Sequence, residues 1–325
     1  MNYLMCSVGR RGELLKYFKR TLTGESKIVA TDNSPYAPAL YFADKRYIAP
    51  RIDDPKYIDF LIDICVKEKI SAITTFIDPE IELLAKNRER FNQIGVEVLA
   101  PYEETAALCF DKYEMFKYLT KNGINTVMTW GSMEDFLSDY NAGKVVFPVF
   151  VKPRTGSGSV GARKIDNLAD LSSAVVADPS LIIQEFMNGT DMDADVYVDT
   201  ISHQAVSTFS KRKIETRIGG ASKTISFKDQ KLVDFIRQIV SKFKFNGPID
   251  MDFFYRGGEY FLSEVNPRFG GAYLHAYGAG VDFIKLIENN LNGIENRPLF
   301  GNYEENVVMM MYDSVVICHP DNLAD

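Results

Sequence analysis

The sequence predicts an α/β protein: a doubly wound, mainly parallel sheet followed by further units that mix helices with antiparallel strands. Three observations carry this. Short apolar runs alternate with amphipathic stretches through the first hundred residues, the pattern of strands joined by crossover helices. A strand-like run bearing Lys152 leads into a glycine-rich loop, FVKPRTGSGSVG at 150–161. Further on, GPIDMDFFYRGGEYFLSEVNP interleaves apolar and acidic residues on either side of Gly257-Gly258, which reads as a β-hairpin.

The bulk composition permits this. With 325 residues, 46% apolar and 25% charged, the chain buries a real core and divides into two or three units. A formal charge of −7 argues against a general binder of nucleic acid or anionic membrane, so any phosphate site is local. Cys6, Cys65, Cys109 and Cys318 lie far apart with no C-x-x-C pair, which suggests neither a disulfide framework nor a thiolate zinc site and fits a reducing cytoplasm. The opening MNYLMCSVGRRG holds too short an apolar run for a signal peptide, and no stretch approaches the roughly 18 apolar residues of a membrane span. His203, His275 and His319 do not form an H-x-x-x-H pair, which argues against a histidine-rich metal centre.

Taken in order, YLMCSV (3–8), IVAT (28–31), the RYIAP run and SAITTFI (71–77) read as strands, and Ile58, Leu61, Ile62, Cys65 and Val66 mark the apolar face of a helix between them. Gly9-Arg10-Arg11-Gly12 falls where the first strand hands over to its helix. There, free backbone N–H groups attract an anion; the alternative is a tight turn with solvated arginines. Pro101 closes this unit. A helix begins near Thr105, runs through DKYEMFKYLTKNG and stops at Gly123. VVFPVFVK is a strand pair or one bent strand, ARKI a short strand, IDNLADLSSAVV a capped helix and LIIQEFM a buried strand. Leu232, Phe235, Ile236, Ile239, Val240 and Phe243 mark another amphipathic helix before the hairpin.

The glycine run Gly156, Gly158, Gly161 has G-x-G-x-x-G spacing, but its context excludes the commoner machines. A dinucleotide fingerprint needs a helix to start within the run. A kinase loop precedes its lysine, whereas Lys152 comes first, and no Lys-Ser/Thr follows Gly161 for a Walker motif. What remains is a lysine on a strand followed by a glycine hairpin: either a loop whose N–H groups close on phosphate oxygens, or a merely flexible loop. In SEVNPRFGG, Glu264, Asn266 and Arg268 alternate along a strand end and project to one face, with Asp250 and Asp252 opposite in the hairpin. Hard oxygen donors beside a guanidinium suit magnesium and polyphosphate, and acids embedded among apolar residues would repel one another without a cation.

DKYEMFKYL, FVKPRTGSGSVG, IIQEFMNGTDMDAD, IDMDFF and SEVNPRFGG, in this order, resemble the ATP-grasp superfamily, and in particular the large-subunit halves of carbamoyl phosphate synthetase and related carboxylate–amine ligases. The resemblance implies a Rossmann-like pre-ATP-grasp domain (1–104), then a two-lobed α+β ATP-grasp module: a small lid lobe (105–185) and a large lobe with the metal site (186–325). It further implies that Lys112 and Lys152 hold ATP phosphates under the loop of Gly156, Ser157, Gly158, Ser159 and Gly161. Gln184, Glu185 and Phe186 would form the adenine hinge, with Asp191 near ribose, where many relatives carry glutamate. Asp252, Glu264 and Asn266 would coordinate Mg²⁺, and Arg268 would reach the transferring phosphate.

The implied reaction is activation of a small-molecule carboxylate as an acyl phosphate, with release of ADP, followed by attack of an amine. In the similar enzymes the KRKIETRIGGASKT run borders the cleft, which makes Arg212 or Arg217 an anchor for the substrate carboxylate; the alternative is a solvated loop. Tyr273, His275 and Tyr277 either line the pocket or belong to the core. Carbamoyl-phosphate-type activation of bicarbonate and a non-catalytic nucleotide-binding regulator are the competing readings, and a homodimer is the habit of the family.

Overall fold

The computed structural model describes residues 1–156, 161–217 and 220–324. Ser157, Gly158 and Ser159 of the glycine loop lie outside the described residues.

The first unit is a parallel sheet built from β1 (Asn2–Cys6), β2 (Lys27–Asp32), β3 (Lys45–Ile48), β4 (Ile70–Thr75) and β5 (Glu97–Val98), in the order β3-β2-β1-β4-β5. Its helices are α1 (Gly12–Thr21), α2 (Tyr57–Glu68), α3 (Asp78–Lys86) and α4 (Arg88–Asn92). Strand order reverses between β1 and β4, and the loops leaving their carboxyl ends face the rest of the molecule. Helix α2 buries Ile58, Leu61, Ile64 and Cys65, while Val66 is 62% exposed, so the apolar stripe is rotated from the expected one. Glu68 turns inward with it and is held by Lys45 Nζ at 2.8 Å.

The expected single helix from Thr105 is two: α5 (Glu103–Phe110) and α6 (Lys112–Lys121). Asp111 breaks the run because its carboxylate accepts from the backbone N–H groups of Tyr113 and Glu114, an N-cap that starts a new helix. Gly123, with φ of +67°, follows the end of α6 as expected.

A second, antiparallel sheet has the order β6-β9-β7-β8, from β6 (Thr129–Trp130), β7 (Val149–Pro153), β8 (Arg163–Ile165) and β9 (Leu181–Glu185), with α7 (Met133–Asn141) and α8 (Leu168–Ala177) against it. The third is a six-stranded sheet, β14-β13-β10-β11-β12-β15. Its strands are β10 (Thr190–Val198), β11 (Ala205–Arg217), β12 (Gly220–Phe227), β13 (Gly247–Arg256), β14 (Glu259–Asn266) and β15 (Val308–Met310), with α9 (Gln230–Val240), α10 (Tyr273–Gly278) and α11 (Phe283–Leu291). Gly257 and Gly258, both at positive φ, make the two-residue turn between β13 and β14.

Met115, Leu119 and Ile124 share a core with Met192, Ile236, Met251 and Leu262, so α6 packs its apolar face on the six-stranded sheet. On the opposite face a continuous core runs from Tyr3, Leu15 and Phe18 of the first unit to Phe269, Tyr273 and Phe283, with Phe18 edge-on to Phe269 at 5.6 Å. Tyr273 and His275 are buried there, and Tyr277 stacks on Tyr17 at 4.1 Å, which makes these residues core and interface rather than pocket lining.

Candidate active site

The site begins with the alternation of the central strands. In the β10–β13 ladder Asp193 faces Asp252 and Asp195 faces Asp250; in the β13–β14 ladder Asp252 faces Glu264 and Asp250 faces Asn266. All project to the face away from α6 and α9. Between Asp252 and Phe253 the register slips, because Ser263 is an extra residue on β14. This bulge lets Leu262 and Val265 both stay in the core while Glu264 turns to the polar face.

Two lysines reach Glu264 from separate elements. Lys112, the first residue of α6, lies 3.8 Å from its Oε1, and Lys152 of β7 lies 3.9 Å from its Oε2. Lys112 Nζ also donates to the Gly156 carbonyl at 2.5 Å, so the near edge of the glycine loop is tied to the site. Arg154 Nε, donating to Asp111 at 2.8 Å, fixes β7 against the start of α6. Burial pulls the Lys152 ammonium below its ordinary value; Glu264 opposes this and Lys112 adds to it.

Lys213 of β11 is the third cation, 2.5 Å from Asp252 and 2.9 Å from Asp191. Burial works against its charge, but these two carboxylates outweigh it and hold the ammonium above its ordinary value. Beneath it the fully buried Lys211 sits 2.6 Å from Asp193 and is also paired with Asp195. Burial pushes the carboxyls of Asp193, Asp195 and Asp250 upward. Arg268 lies just past β14 and donates to Asp78 through Nε at 2.8 Å and through NH2 at 3.2 Å, and to Asn266 Oδ1 at 3.3 Å. A narrow recess runs between these elements, lined by Asp78, Cys109, Phe110, Gly156, Glu264 and Asn266.

Asp252, Glu264 and Asn266 thus form one group, with Asn266 Nδ2 donating to Asp252 at 3.3 Å. Glu264 accepts no hydrogen bond among the described residues, which leaves hard oxygen lone pairs facing the recess. No three His, Cys, Asp or Glu side chains among the described residues form a complete metal cage. The donor set fits Mg²⁺, which binds through one or two carboxylates and completes its shell with phosphate and water oxygens.

Gln184, Glu185 and Phe186 lie at the junction of the two antiparallel sheets. Gln184 Nε2 donates to Thr129 Oγ1 at 2.8 Å, Glu185 pairs with Arg256, and Phe186 is 36% exposed beneath Lys164. Arg212 is a correction. On β11 it alternates with Lys211 and Lys213, pairs with the core residue Met192, and places its guanidinium over Phe227 on the opposite face from the recess. Arg217, at the far end of β11, is 57% exposed and 3.5 Å from Glu215, remote from Glu264 and Arg268 in the ladder. Lys213, Lys211 and Asp78 are the members that sequence reading did not assign. For the two lysines, the period of two along KRK was the available signal.

The family model described as "ATP-grasp domain" matches residues 109–272, just over half of the chain. The chain belongs to the ATP-grasp family. Residues 3–99, ahead of the ATP-grasp domain, match the model described as "PylC-like, N-terminal domain". Among curated relatives, a formate-dependent phosphoribosylglycinamide formyltransferase of Psychromonas ingrahamii is 25% identical over 268 residues, 74% of this chain and 62% of the relative. A D-alanine–D-alanine ligase of Corynebacterium urealyticum is 30% identical over 113 residues, 33% of this chain and 31% of the relative. The ATP-grasp chain therefore spans less than two thirds of the length of these relatives. Solved structures share the fold. The biotin carboxylase domain of Hydrogenobacter thermophilus 2-oxoglutarate carboxylase has a TM-score of 0.73 at 16% identity, covering 94% of this chain and 73% of its own. N5-carboxyaminoimidazole synthetase from Staphylococcus aureus has a TM-score of 0.70 at 17% identity, covering 90% and 77%.

Proposed function

We propose that this protein is an ADP-forming ligase that activates a small-molecule carboxylate with ATP and transfers the acyl group to an amine. The observation that carries the reading is the convergence of Lys112 and Lys152, from different elements, on Glu264 beside Asp252, Asn266 and Arg268. In this reading Lys112 and Lys152 hold the ATP phosphates with Gly156 beside them, and Gln184, Glu185 and Phe186 border the adenine, with Asp191 near ribose. Asp252, Glu264 and Asn266 hold Mg²⁺, which when bound neutralises phosphate charge.

A carboxylate oxygen forms a bond to the γ-phosphorus as the bond to the β-phosphate oxygen breaks, and ADP leaves. The amine nitrogen then bonds to the acyl carbon, the C–O bond to phosphate breaks, inorganic phosphate departs, and the nitrogen loses a proton to solvent. No protein nucleophile is needed. The side chains act by position and charge: Arg268 and the lysines offset the negative charge on the transferring group. Lys152 is suited to this because it is already desolvated, so its attraction to phosphate is weakly screened.

The test is ADP release from Mg²⁺–ATP across a crossed panel of carboxylates (formate, bicarbonate, D-alanine, D-lactate, L-amino acids) and amines, with Lys152→Ala as the blank. ADP dependent on one carboxylate–amine pair and absent in the blank is expected. ADP that requires bicarbonate and ammonia alone would replace this reading with carbamoyl-phosphate chemistry, and nucleotide binding without turnover on any pair would replace it with a regulatory one.

A further inference from the structure

We propose that Arg11, from the first unit, is a substrate-binding residue that together with Arg268 cradles the carboxylate the enzyme activates. This rests on the carboxylate-activating reading above and adds to it a specificity residue outside the ATP-grasp domain.

The loop GRRG sends its two arginines in opposite directions. Arg10 is exposed and meets Asp313 at 3.3 Å on the surface. Arg11 turns inward, donates through NH1 to the Gly270 carbonyl at 3.0 Å, and lies 6.0 Å from the centre of the Phe76 ring. A guanidinium carries five N–H donors. Among the described residues the Gly270 carbonyl is the one hydrogen-bond acceptor that the Arg11 side chain reaches, and it forms no ion pair. Arg268, two residues before Gly270, donates to Asp78 through Nε and NH2 and to the Phe269 carbonyl through NH1 at 3.3 Å. Burial, and next to it the charge of Arg268, lower the Arg11 guanidinium to about 10. Both guanidinium groups are only partly buried, and like charges held near each other repel; a carboxylate at Arg11 takes up its remaining planar donors and offsets the charge of both.

The loop is built to hold this position. Gly9 N–H donates to Asp32 at 2.8 Å, Ala39 N–H to the Gly9 carbonyl at 3.0 Å, and Arg11 N–H to the Val8 carbonyl at 2.9 Å. A Cβ on Gly12 would come within 2.6 Å of the Phe42 ring, so the start of α1 is pressed against its neighbour. Arg11 therefore presents its side chain from a fixed backbone, beside the reversal of strand order between β1 and β4, where open α/β sheets bind ligands. Asp78 is already paired with Arg268 at 2.8 Å, and Asp195 and Asp250 lie against Gly270, whose carbonyl Arg11 holds. These acids disfavour a second negative charge, so the structure fits monocarboxylates rather than dicarboxylates.

The test is calorimetric titration of the Mg²⁺–ADP-saturated protein with formate, D-alanine, D-lactate, L-alanine and succinate, for wild type, Arg11→Met and Arg11→Lys. Circular dichroism melts confirm that each variant is folded. At least one monocarboxylate is expected to bind wild type, to weaken tenfold or more in Arg11→Met, to recover partly in Arg11→Lys, and to outcompete succinate, while the Kd for Mg²⁺–ADP changes less than twofold. Equal binding by wild type and Arg11→Met, or no binding by any member of the panel, would overturn the assignment. So would a loss confined to Mg²⁺–ADP, which would make Arg11 a phosphate ligand. ADP formation on the same samples judges the ligase reading separately: turnover with unchanged KM in Arg11→Met sinks Arg11 alone, and Arg11-dependent binding without turnover sinks the ligase reading alone.

Discussion

The two faces of the six-stranded sheet are made by the same strands one residue out of step, and their chemistry is opposite. One face carries Met192, Ala194, Val196, Ile249, Met251, Phe253, Leu262 and Val265, packed on α6 and α9. The other carries Asp193, Asp195, Asp250, Asp252, Glu264 and Asn266, answered by Lys211 and Lys213 of β11. Each fully buried aliphatic side chain on the first face stabilises the fold by about 1.5–3 kcal/mol. Buried ion pairs on the second contribute little net stability, because desolvation offsets their attraction. The apolar face holds the sheet together, and that stability is what permits a concentration of charge on the face behind it.

Substitutions that act on one face alone separate the two. Ile236 of α9 is fully buried against the apolar face, and Ile236→Ala is expected to reduce unfolding free energy by about 2–5 kcal/mol. Urea titration reads this, while kcat of the folded fraction stays within twofold. Glu264→Gln should do the reverse: a fall in kcat of about 10²–10³, the scale for removing one charge-positioning group, with the urea midpoint nearly unmoved. A stability loss in Glu264→Gln as large as that of Ile236→Ala would mean that the charged face also carries the fold.

Much of this division is legible in the sequence, since period-two alternation in IDMDFF and SEVN sorts acids from apolar residues without any coordinates. The Gly-Gly turn and the strand that bears Lys152 are legible for the same local reason. What escapes is whatever depends on a single residue of phase. Ser263 is an inserted residue that changes no composition, yet it decides which way Glu264 points. Asp111 reads as one more polar residue of a helix until its carboxylate is seen capping the next one. Val66 fits a helical stripe that Ile64 and the turned-in Glu68 displace. Arg11 and Asp78 belong to loops of the first unit, and nothing in their local sequence states that Arg268, far along the chain, will lie beside them.

The charged side is also not uniform, and pH distinguishes its sealed end. His275, on α10, is 3% exposed, with Nδ1 at 2.8 Å from Thr224 Oγ1. Burial, with Lys211 adding to it, lowers its pKa to about 4. Between that value and the ordinary one near 6.5, the unfolded chain binds a proton that the folded chain refuses, so acidification through this window destabilises the fold. Relative to His275→Asn, wild type is expected to lose about 2 kcal/mol between pH 7 and pH 4.5 in urea titrations. Asp193, Asp195 and Asp250, whose carboxyls are raised, act with the opposite sign, but they are present in both proteins and cancel in the comparison. A gap independent of pH would show that the histidine is solvated.

The smallest expected effect is the sharpest test of the alternation itself. Arg212 and Lys213 are adjacent cations in one strand, and a reading by composition treats them alike. The ladder does not: Arg212 lies opposite Met192 with its guanidinium over Phe227, while Lys213 is 2.5 Å from Asp252. Arg212→Ala removes a partly solvated cation–π contact, so its effect on stability is expected within about 0.5–1 kcal/mol, and KM for the carboxylate within twofold of wild type. Lys213→Ala leaves Asp252 and Asp191 without their shared cation and is expected to alter the Mg²⁺ dependence of turnover. A change in the Mg²⁺ dependence of turnover in Arg212→Ala equal to that in Lys213→Ala would mean that β11 presents both side chains to one cleft, which an extended strand cannot do.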